Sequence, residues 1–251
     1  MRSEKMGKTA ATQGNGVRAH SADLSTATAR PGTLPPDVRR ILIVGAGGFG
    51  REVLQWARDA WPYLSDRLAG FLSADDRILE GFNCDLEIIT SPEAYRPQAG
   101  DKVLLAIGVP YARRKVAESL LAQGAEFLTL VHPTAIVSPT ATIGEGAIIC
   151  PYAIVSDSAS TGHCALVNYH ASLGHDASTG DYAVLSPYAT LGGNAHIGDD
   201  VFLGMHASVG PGRRVGSRSK VSANSCALTD VRDDSLVFGS PGRVAPRFNV
   251  S

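Results

Sequence analysis

His175 and Asp176 are the adjacent side chains of this sequence best suited to acid–base chemistry. They lie in the stretch "NYHASLGHDASTGDY", which begins at Asn168. Imidazole exchanges a proton near neutral pH, and a neighbouring carboxylate can fix the ring tautomer and stabilise the imidazolium. Asp157, eighteen residues before His175, is a second candidate carboxylate. The pattern predicts a general base at His175, with a solvated surface histidine as the alternative interpretation.

A glycine-rich turn near the start of the chain is the second candidate for ligand chemistry. The apolar run Ile41–Val44 predicts a buried parallel strand, and it leads into a G-x-G-x-x-G pattern followed by a helical pattern. Glycines here let the backbone turn sharply, so that free N–H groups of the helix point at an anion. We expect one phosphorylated ligand, with a purely structural turn as the alternative. The predicted contacts are Gly45, Gly47, Gly48, Phe49 and Gly50, with Arg113 or Arg114 adding positive charge.

A complete dinucleotide site is not expected in this segment. Such a site needs two mononucleotide-binding halves, and Asp75 and Asp76 lie late for the acidic residue that would bind a ribose. The further strands that the sequence predicts are Leu68–Leu72, Leu86–Ile89, Val103–Ile107 and Phe127–Val131, with a helix between the last two. The segment is therefore predicted to be an α/β Rossmann-like half domain.

A period of six residues dominates the rest of the chain. Every sixth residue from Val137 to Val221 is aliphatic apart from two threonines, and alanine stands two positions earlier from Ala135 to Ala195. A fixed short period indicates a solenoid whose coils bury one another. We predict a continuous triangular parallel β-prism over residues 132–228, with three hexads per coil and the aliphatic residues inside. Glycine after the aliphatic residue is expected to adopt the backbone conformation of the corners.

The composition is that of a globular protein with room for two modest domains: 251 residues, 44% apolar and 19% charged, with a net charge of −1. The apolar runs are too short to span a bilayer, and the basic residues form no aromatic-interleaved stripe. We therefore expect neither a membrane span nor a nucleic-acid partner. The four cysteines lack metal-ligand spacing and predict reduced thiols in a cytoplasmic protein.

Three segments follow from these patterns. Residues 1–40 hold seven Lys or Arg against three Asp or Glu and contain no apolar run. This predicts a disordered tail, with an organelle transit peptide as the alternative. Residues 41–130 are the predicted Rossmann-like domain, and residues 131–251 the predicted prism with a C-terminal loop.

The hexads and five other motifs resemble the hexapeptide-repeat sugar acetyltransferases, in particular the sialic acid O-acetyltransferase and nucleotide amino-sugar N-acetyltransferase family. The motifs "ILIVGAGGFGREV", "AIGVPYARR", "VHPTAIVSPTATIGEG", "NYHASLGHDASTGDY" and "VFGSPGRV" follow in the family's order over residues 41–247. The resemblance implies a left-handed parallel β-helix, acetyl-CoA as co-substrate without a metal, and a homotrimer with active sites between subunits. It implies N-acetylation of a nucleotide-linked 4-amino-4,6-dideoxy sugar for surface glycan biosynthesis, held by residues 41–130. O-acetylation of a sialic-acid-type sugar is the alternative.

The resemblance also implies roles for individual residues. It places the general base at His175, supported by Asp176, and it places Asn168 near the active site. Acetyl-CoA is expected along the C-terminal coils, where glycines expose backbone to the pantetheine amides and cations face the phosphates. The residues predicted for the donor are Gly192, Gly193, Gly204, Arg213 and Arg214.

Two positions depart from the family's pattern. Val184 stands where some relatives carry a second histidine near the acyl-CoA. Ser73 and Ala74 stand where relatives often carry paired acids for the sugar nucleotide. Both departures concern contacts with donor and acceptor rather than the class of reaction.

Two rivals come from other functional classes. The γ-type carbonic anhydrases share such a prism, and His170 and His175 have the spacing of two of their zinc ligands. Zinc catalysis needs a third protein ligand, and the matching position is Thr134. A non-enzymatic scaffold is the other rival.

Overall fold

The computed structural model describes Arg30, Gly32 and residues 34–247, which fold into an α/β domain followed by a solenoid. The α/β domain has four parallel strands in the order β3-β2-β1-β4, so the strand before the glycine-rich turn is central. Both faces of β1 are covered, which accounts for its run of apolar residues. Its elements are β1 (Arg40–Val44), α1 (Gly48–Ala60), a 3-10 turn (Pro62–Arg67), β2 (Leu68–Leu72), β3 (Ile88–Thr90), β4 (Asp101–Leu105) and α2 (Pro110–Ala122).

The edges of this domain differ from the sequence prediction. Only Leu130–Val131 of the predicted last strand forms a strand, β5, and it pairs with the solenoid rather than with β4. At the other end, Val38 is buried and Arg40 pairs with Asp101 at 2.7 Å, so the domain begins inside the predicted tail of residues 1–40. Residues 1–29, 31 and 33 of that tail lie outside the described residues.

The solenoid has the predicted period of three hexads. Strand Ile136–Val137 pairs with Ile154–Val155, and this eighteen-residue register continues without insertion to Cys226–Ala227. The strands are β6 (Ile136–Val137), β7 (Ile148–Ile149), β8 (Ile154–Val155), β9 (Leu166–Val167), β10 (Ser172–Leu173), β11 (Ser178–Thr179), β12 (Val184–Leu185), β13 (Thr190–Leu191), β14 (His196–Ile197), β15 (Phe202–Leu203), β16 (Ser208–Val209), β17 (Arg214–Val215), β18 (Lys220–Val221) and β19 (Cys226–Ala227). A final coil of sixteen residues leads to β20 (Ser235–Phe238), which pairs with the antiparallel strand β21 (Arg243–Pro246).

Three flat faces and three edges result. Face 1 contains β5, β7, β9, β12, β15, β18 and β20; face 2 contains β6, β8, β10, β13, β16 and β19; face 3 contains β11, β14 and β17. The first edge, after face 1, passes through residues 150–152, 168–170, 186–188 and 204–206. The second edge, after face 2, passes through 156–158, 174–176, 192–194 and 210–212. The third edge, after face 3, passes through 144–146, 162–164, 180–182, 198–200 and 216–218.

The role predicted for the corner glycines is wrong, although their positions are right. Gly174 lies outside the left-handed region, and a Cβ there would come within 2.7 Å of the Gly193 nitrogen. The left-handed residue is the third after the aliphatic one, such as Asp176 with φ 59°. Glycine is therefore required because successive coils approach closely, while polar and aromatic residues accept the left-handed conformation.

The α/β domain packs on face 1 of the solenoid. The outward residues Ile148, Leu166 and Val184 share a buried apolar cluster with α1 and β1. Arg113 of α2 is fully buried and joins the two parts. Its guanidinium donates to the carbonyl of Leu105 at 2.6 Å in the domain and to that of Cys164 at 2.6 Å in the solenoid.

Candidate functional site

His175 and Asp176 form a contact on the second edge. The imidazole Nδ1 lies 2.8 Å from Asp176 Oδ2, and both side chains are more than half exposed. The left-handed backbone at Asp176 (φ 59°) turns its side chain beside the ring. Because a carboxylate only accepts, Nδ1 carries the proton and Nε2 is left to accept one from a substrate.

Asp157 is not the partner of the imidazole. Its carboxylate accepts a hydrogen bond from the Thr140 hydroxyl, one coil below. Its backbone carbonyl accepts the Asp176 N–H at 2.9 Å, which holds the turn at Asp176 in place. Of the two carboxylates suggested by the sequence, Asp176 contacts the ring and Asp157 supports the backbone beneath it.

The position above His175 is filled by its own ring. Gly193 stands one coil above His175, and a Cβ on Gly193 would lie 2.4 Å from Nε2 and 2.6 Å from Cε1. The imidazole thus leans over the Gly193 backbone. Among the described residues the Gly193 N–H has no hydrogen-bond acceptor. This corner therefore places a free backbone donor beside the ring.

The donor-binding residues predicted from the sequence are only partly brought together. Gly192 and Gly193 lie on the second edge, and Arg213 and Arg214 follow it one coil higher. Gly204 lies on the first edge, away from them. Arg213 is paired with Asp230 at 3.7 Å, so its charge is partly compensated.

Asn168 lies on the first edge, and β10 on face 2 separates it from His175. Its carboxamide oxygen accepts the Tyr169 N–H at 2.8 Å. Within one chain the structure therefore does not bring Asn168 and His175 together.

The first edge also carries a ladder of rings that the sequence reasoning missed. Tyr152, His170, Tyr188 and His206 stack in parallel, with centroids 5.1, 4.8 and 4.7 Å apart. All four occupy the left-handed corner position. The signal that could have revealed the ladder is the recurrence of an aromatic ring every eighteen residues.

The glycine-rich turn divides into structural and accessible glycines. A Cβ on Gly45 (φ 97°) would lie 2.7 Å from the Ala106 carbonyl oxygen, and one on Gly50 would lie 1.9 Å from the Gly45 carbonyl oxygen. Packing alone requires these two. A Cβ on Gly47 or Gly48, at the start of α1, would have no contact closer than 3.9 Å, and the first turn of α1 holds no acidic residue. The open N–H groups there suit an anion.

Phe49 and Arg113 stand apart from this accessible backbone. The Phe49 ring packs edge-on against Trp56 with centroids 5.9 Å apart. The prediction that Arg113 contacts the ligand's phosphates is wrong, because its guanidinium is enclosed among backbone carbonyls. Burial lowers the pKa of Arg113 to about 10. Arg114 is also engaged, since it pairs with Asp200 at 2.7 Å.

The glycine-rich turn and His175 lie at different edges. Phe49 and Trp56 share an apolar cluster with Tyr169, which places the start of α1 beside the first edge. His175 is on the second edge, one hexad further along the coil, and six residues of extended chain span roughly 20 Å. Within one chain these two candidate sites are therefore separate.

The zinc-ligand alternative does not fit this geometry. His170 is stacked between Tyr152 and Tyr188 on the first edge, whereas His175 is on the second. Across residues 34–247, no group of three His, Cys, Asp or Glu side chains is placed to hold a metal ion. In the same range no helix is long and apolar enough to cross a membrane.

Comparison with known proteins gives one family match and several relatives. Residues 40–120 match the family model of the PglD N-terminal domain. UDP-N-acetylbacillosamine N-acetyltransferase of Bacillus subtilis (strain 168) is 36% identical over 45% of this chain and 51% of that protein. The alignment thus spans about half the length of this curated relative.

Two solved structures match over most of both chains. The acetyltransferase domain of PglB from Neisseria gonorrhoeae FA1090, in complex with acetyl coenzyme A, has TM-score 0.72 and 27% identity over 83% of this chain and all of that one. PerB from Caulobacter crescentus, in complex with CoA and GDP-perosamine, has TM-score 0.71 and 25% identity. The match covers 82% of this chain and 97% of PerB. These matches confirm the predicted resemblance to hexapeptide-repeat sugar N-acetyltransferases. They also confirm the fold class, a Rossmann-like domain followed by a left-handed β-helix.

Proposed function

We propose that this protein is an acetyl-CoA-dependent N-acetyltransferase whose acceptor is a nucleotide-linked amino sugar, most specifically a 4-amino-4,6-dideoxy sugar for surface glycans. The observation that carries the proposal is the His175–Asp176 contact beside the Gly193 N–H, which has no acceptor in the part of the chain that the structure describes. Relatives that act on bacillosamine and perosamine nucleotides support N- rather than O-acetylation. The four free cysteines suit a cytoplasmic enzyme.

The chemistry follows from the two ring nitrogens of the His175 imidazole. As the acceptor nitrogen bonds to the thioester carbonyl carbon, His175 Nε2 takes a proton from that nitrogen. Asp176 holds the other ring nitrogen and stabilises the imidazolium. The Gly193 N–H is available to donate a hydrogen bond to the oxyanion that develops on the carbonyl oxygen. The C–S bond then breaks, and the imidazolium returns its proton to the CoA thiolate.

The acceptor is assigned to the open backbone of the glycine-rich turn. The N–H groups near Gly47 and Gly48 at the start of α1 are available to the nucleotide's phosphates. Arg113 does not contact the acceptor in this assignment, because its guanidinium is buried among backbone carbonyls. Gly45 and Gly50 contribute by allowing the turn, not by contact.

A complete active site then requires a second copy of the chain. The acceptor half-site is beside the first edge and the base is on the second edge, separated by roughly 20 Å of extended chain. A closed trimer of prisms brings the first edge of one copy to the second edge of the next. In that arrangement Asn168 of one copy approaches His175 of another, which accounts for its predicted place near the active site.

The test is a thiol-release assay with acetyl-CoA. Nucleotide 4-amino sugars with UDP, GDP or dTDP are compared with free sialic acid, and His175→Ala is the control. Thiol release with an amino-sugar nucleotide, lost in the variant, is the expected result. Turnover of sialic acid alone, or none with any acceptor despite bound acetyl-CoA, would contradict N-acetylation.

A further inference from the structure

Face 3 carries a polar row that the reaction at His175 does not use. Ser178, His196 and Arg214 stand at successive levels of this face, because Ser178 pairs with His196 and His196 with Arg214 in register. The Ser178 hydroxyl lies 2.7 Å from His196 Nδ1. The three side chains line a pocket of about 370 Å³. The pocket begins at Ser178, two residues after the second edge, and extends across face 3 to Gly198 and Ser217 of the third edge. Its row of polar residues rises two coils, roughly 10 Å, above the level of His175.

Arg214 differs from Arg213 and Arg218, two neighbouring basic residues of the last coils. Arg213 is paired with Asp230 and Arg218 with Asp233 and Asp234. Arg214 is exposed, and no carboxylate of the described residues pairs with its guanidinium. Of these three guanidinium groups, that of Arg214 is therefore the one free, among the described residues, to meet an external anion.

The acidic side chain that lines the pocket is already engaged. Asp233 accepts the Ser217 N–H at 3.1 Å with one oxygen and an Arg218 N–H at 3.3 Å with the other. Its charge is thereby compensated by Arg218. When the Ser178 hydroxyl donates to His196 Nδ1, the imidazole proton is carried by Nε2. A guanidinium, an imidazole N–H and small polar residues together suit a phosphate group.

We infer that this pocket, built by Ser178, His196 and Arg214, binds a phosphate group of the acyl donor. The inference rests on the proposed use of acetyl-CoA and refines it. The donor's thioester would lie at His175, its chain would follow the small residues of the second edge, and its phosphates would turn onto face 3. Arg214 and His196 then hold the anion, and Arg213 and Arg218 do not.

The experiment compares Arg214→Gln with Lys220→Gln, which removes one positive charge from face 1 and not from the pocket. Binding of CoA, dephospho-CoA and S-acetylpantetheine is measured by calorimetry at low salt. A charge-assisted contact with phosphate predicts about a tenfold rise in Kd for CoA with Arg214→Gln, and a change within about twofold with Lys220→Gln.

The three ligands identify the phosphate. If Arg214→Gln weakens CoA but not dephospho-CoA, the 3′-phosphate occupies the pocket. If it weakens both but not S-acetylpantetheine, the diphosphate does. Equal weakening of all three ligands, or unchanged binding of CoA, overturns the inference while leaving the proposed function intact. Failure of the wild-type protein to bind CoA overturns both.

Discussion

Replacing Gly193 with alanine tests whether the position of the His175 ring governs the reaction. The new methyl group would lie 2.4 Å from Nε2 and 2.6 Å from Cε1. Non-bonded carbon contacts lie at about 3.5–4.0 Å, so the ring must move by about 1 Å. Gly193 does not adopt the left-handed conformation, so alanine fits the backbone.

The expected effect is on turnover rather than binding. A displacement of about 1 Å at a reacting group can cost about 10²-fold in rate, and a general base contributes about 10²–10⁴. We therefore expect kcat of Gly193→Ala to fall by about 10²-fold, with the KM values of donor and acceptor little changed.

Thiol release at saturating substrates measures this effect, and Gly210→Ala is the matched control. Gly210 lies one coil higher on the same edge, and a Cβ there has no contact closer than 3.4 Å. The control is expected to keep its kcat. A folded Gly193→Ala protein with wild-type kcat would refute the claim that the ring must lie over the glycine.

Three further predictions concern the base, the acceptor site and acid stability. His175→Ala should lower kcat by about 10²–10⁴ with little change in KM, and Asp176→Asn should cost less because the base remains; a His175→Ala enzyme that keeps most of its kcat contradicts the assignment. Gly47→Val should raise acceptor KM without changing acetyl-CoA affinity, and the opposite pattern in binding assays would reverse the site assignment. Burial raises the pKa of Asp101, but hydrogen bonds from Arg40 and other donors outweigh this and lower it below 3.8. A lowered carboxyl pKa stabilises the fold above the unfolded value, and that stability is lost as pH falls through the folded pKa. The Tm of Asp101→Asn should therefore fall less at acid pH than the Tm of the wild-type protein. An equal fall of Tm with pH in both proteins would contradict a stabilising role for the Asp101 carboxylate.

The solenoid could be predicted almost completely from the sequence because its interior is one-dimensional. Each aliphatic residue and each alanine meets only the next coil, so a local pattern specifies the packing. The pattern could not reveal why glycine follows the aliphatic residue, since close approach and left-handed backbone both favour glycine. It also could not reveal the sixteen-residue final coil, where Val215 pairs with Val231.

The candidate site was less predictable because it depends on contacts between distant parts of the chain. The approach of His175 to Asp176 could be inferred from their adjacency. The burial of Arg113 could not, because it depends on how α2 meets the solenoid carbonyl of Cys164, 51 residues away. The separation of His175 from the glycine-rich turn likewise follows from docking of the domain on face 1.

The third edge explains why eighteen residues, and not six, are the true repeat. On this edge, the second residue after each inward-pointing one has a backbone N–H with no backbone acceptor among the described residues. A side chain one coil higher accepts this N–H instead. Asp199 accepts the Asp181 N–H at 2.9 Å, and the Ser217 hydroxyl accepts the Asp199 N–H at 3.2 Å. The interior repeats at every hexad, whereas this ladder of acceptors repeats only along one edge.

Two deletions separate these periods. One variant lacks the eighteen residues 198–215, and the other lacks the six residues 198–203. Both deletions remove Asp199 and join Ile197 to a glycine, Gly216 in the first variant and Gly204 in the second. The longer deletion brings Ser217 over Asp181 as a replacement acceptor, while the shorter one brings Met205, whose side chain has no oxygen. An unsatisfied N–H costs about 1–3 kcal/mol, and each kcal/mol lowers Tm by about 2–4 °C at this size. We therefore expect the six-residue deletion to melt several degrees below the eighteen-residue one in thermal unfolding. Equal melting temperatures would show that the hexad interior alone sets stability and that the edge ladder contributes nothing.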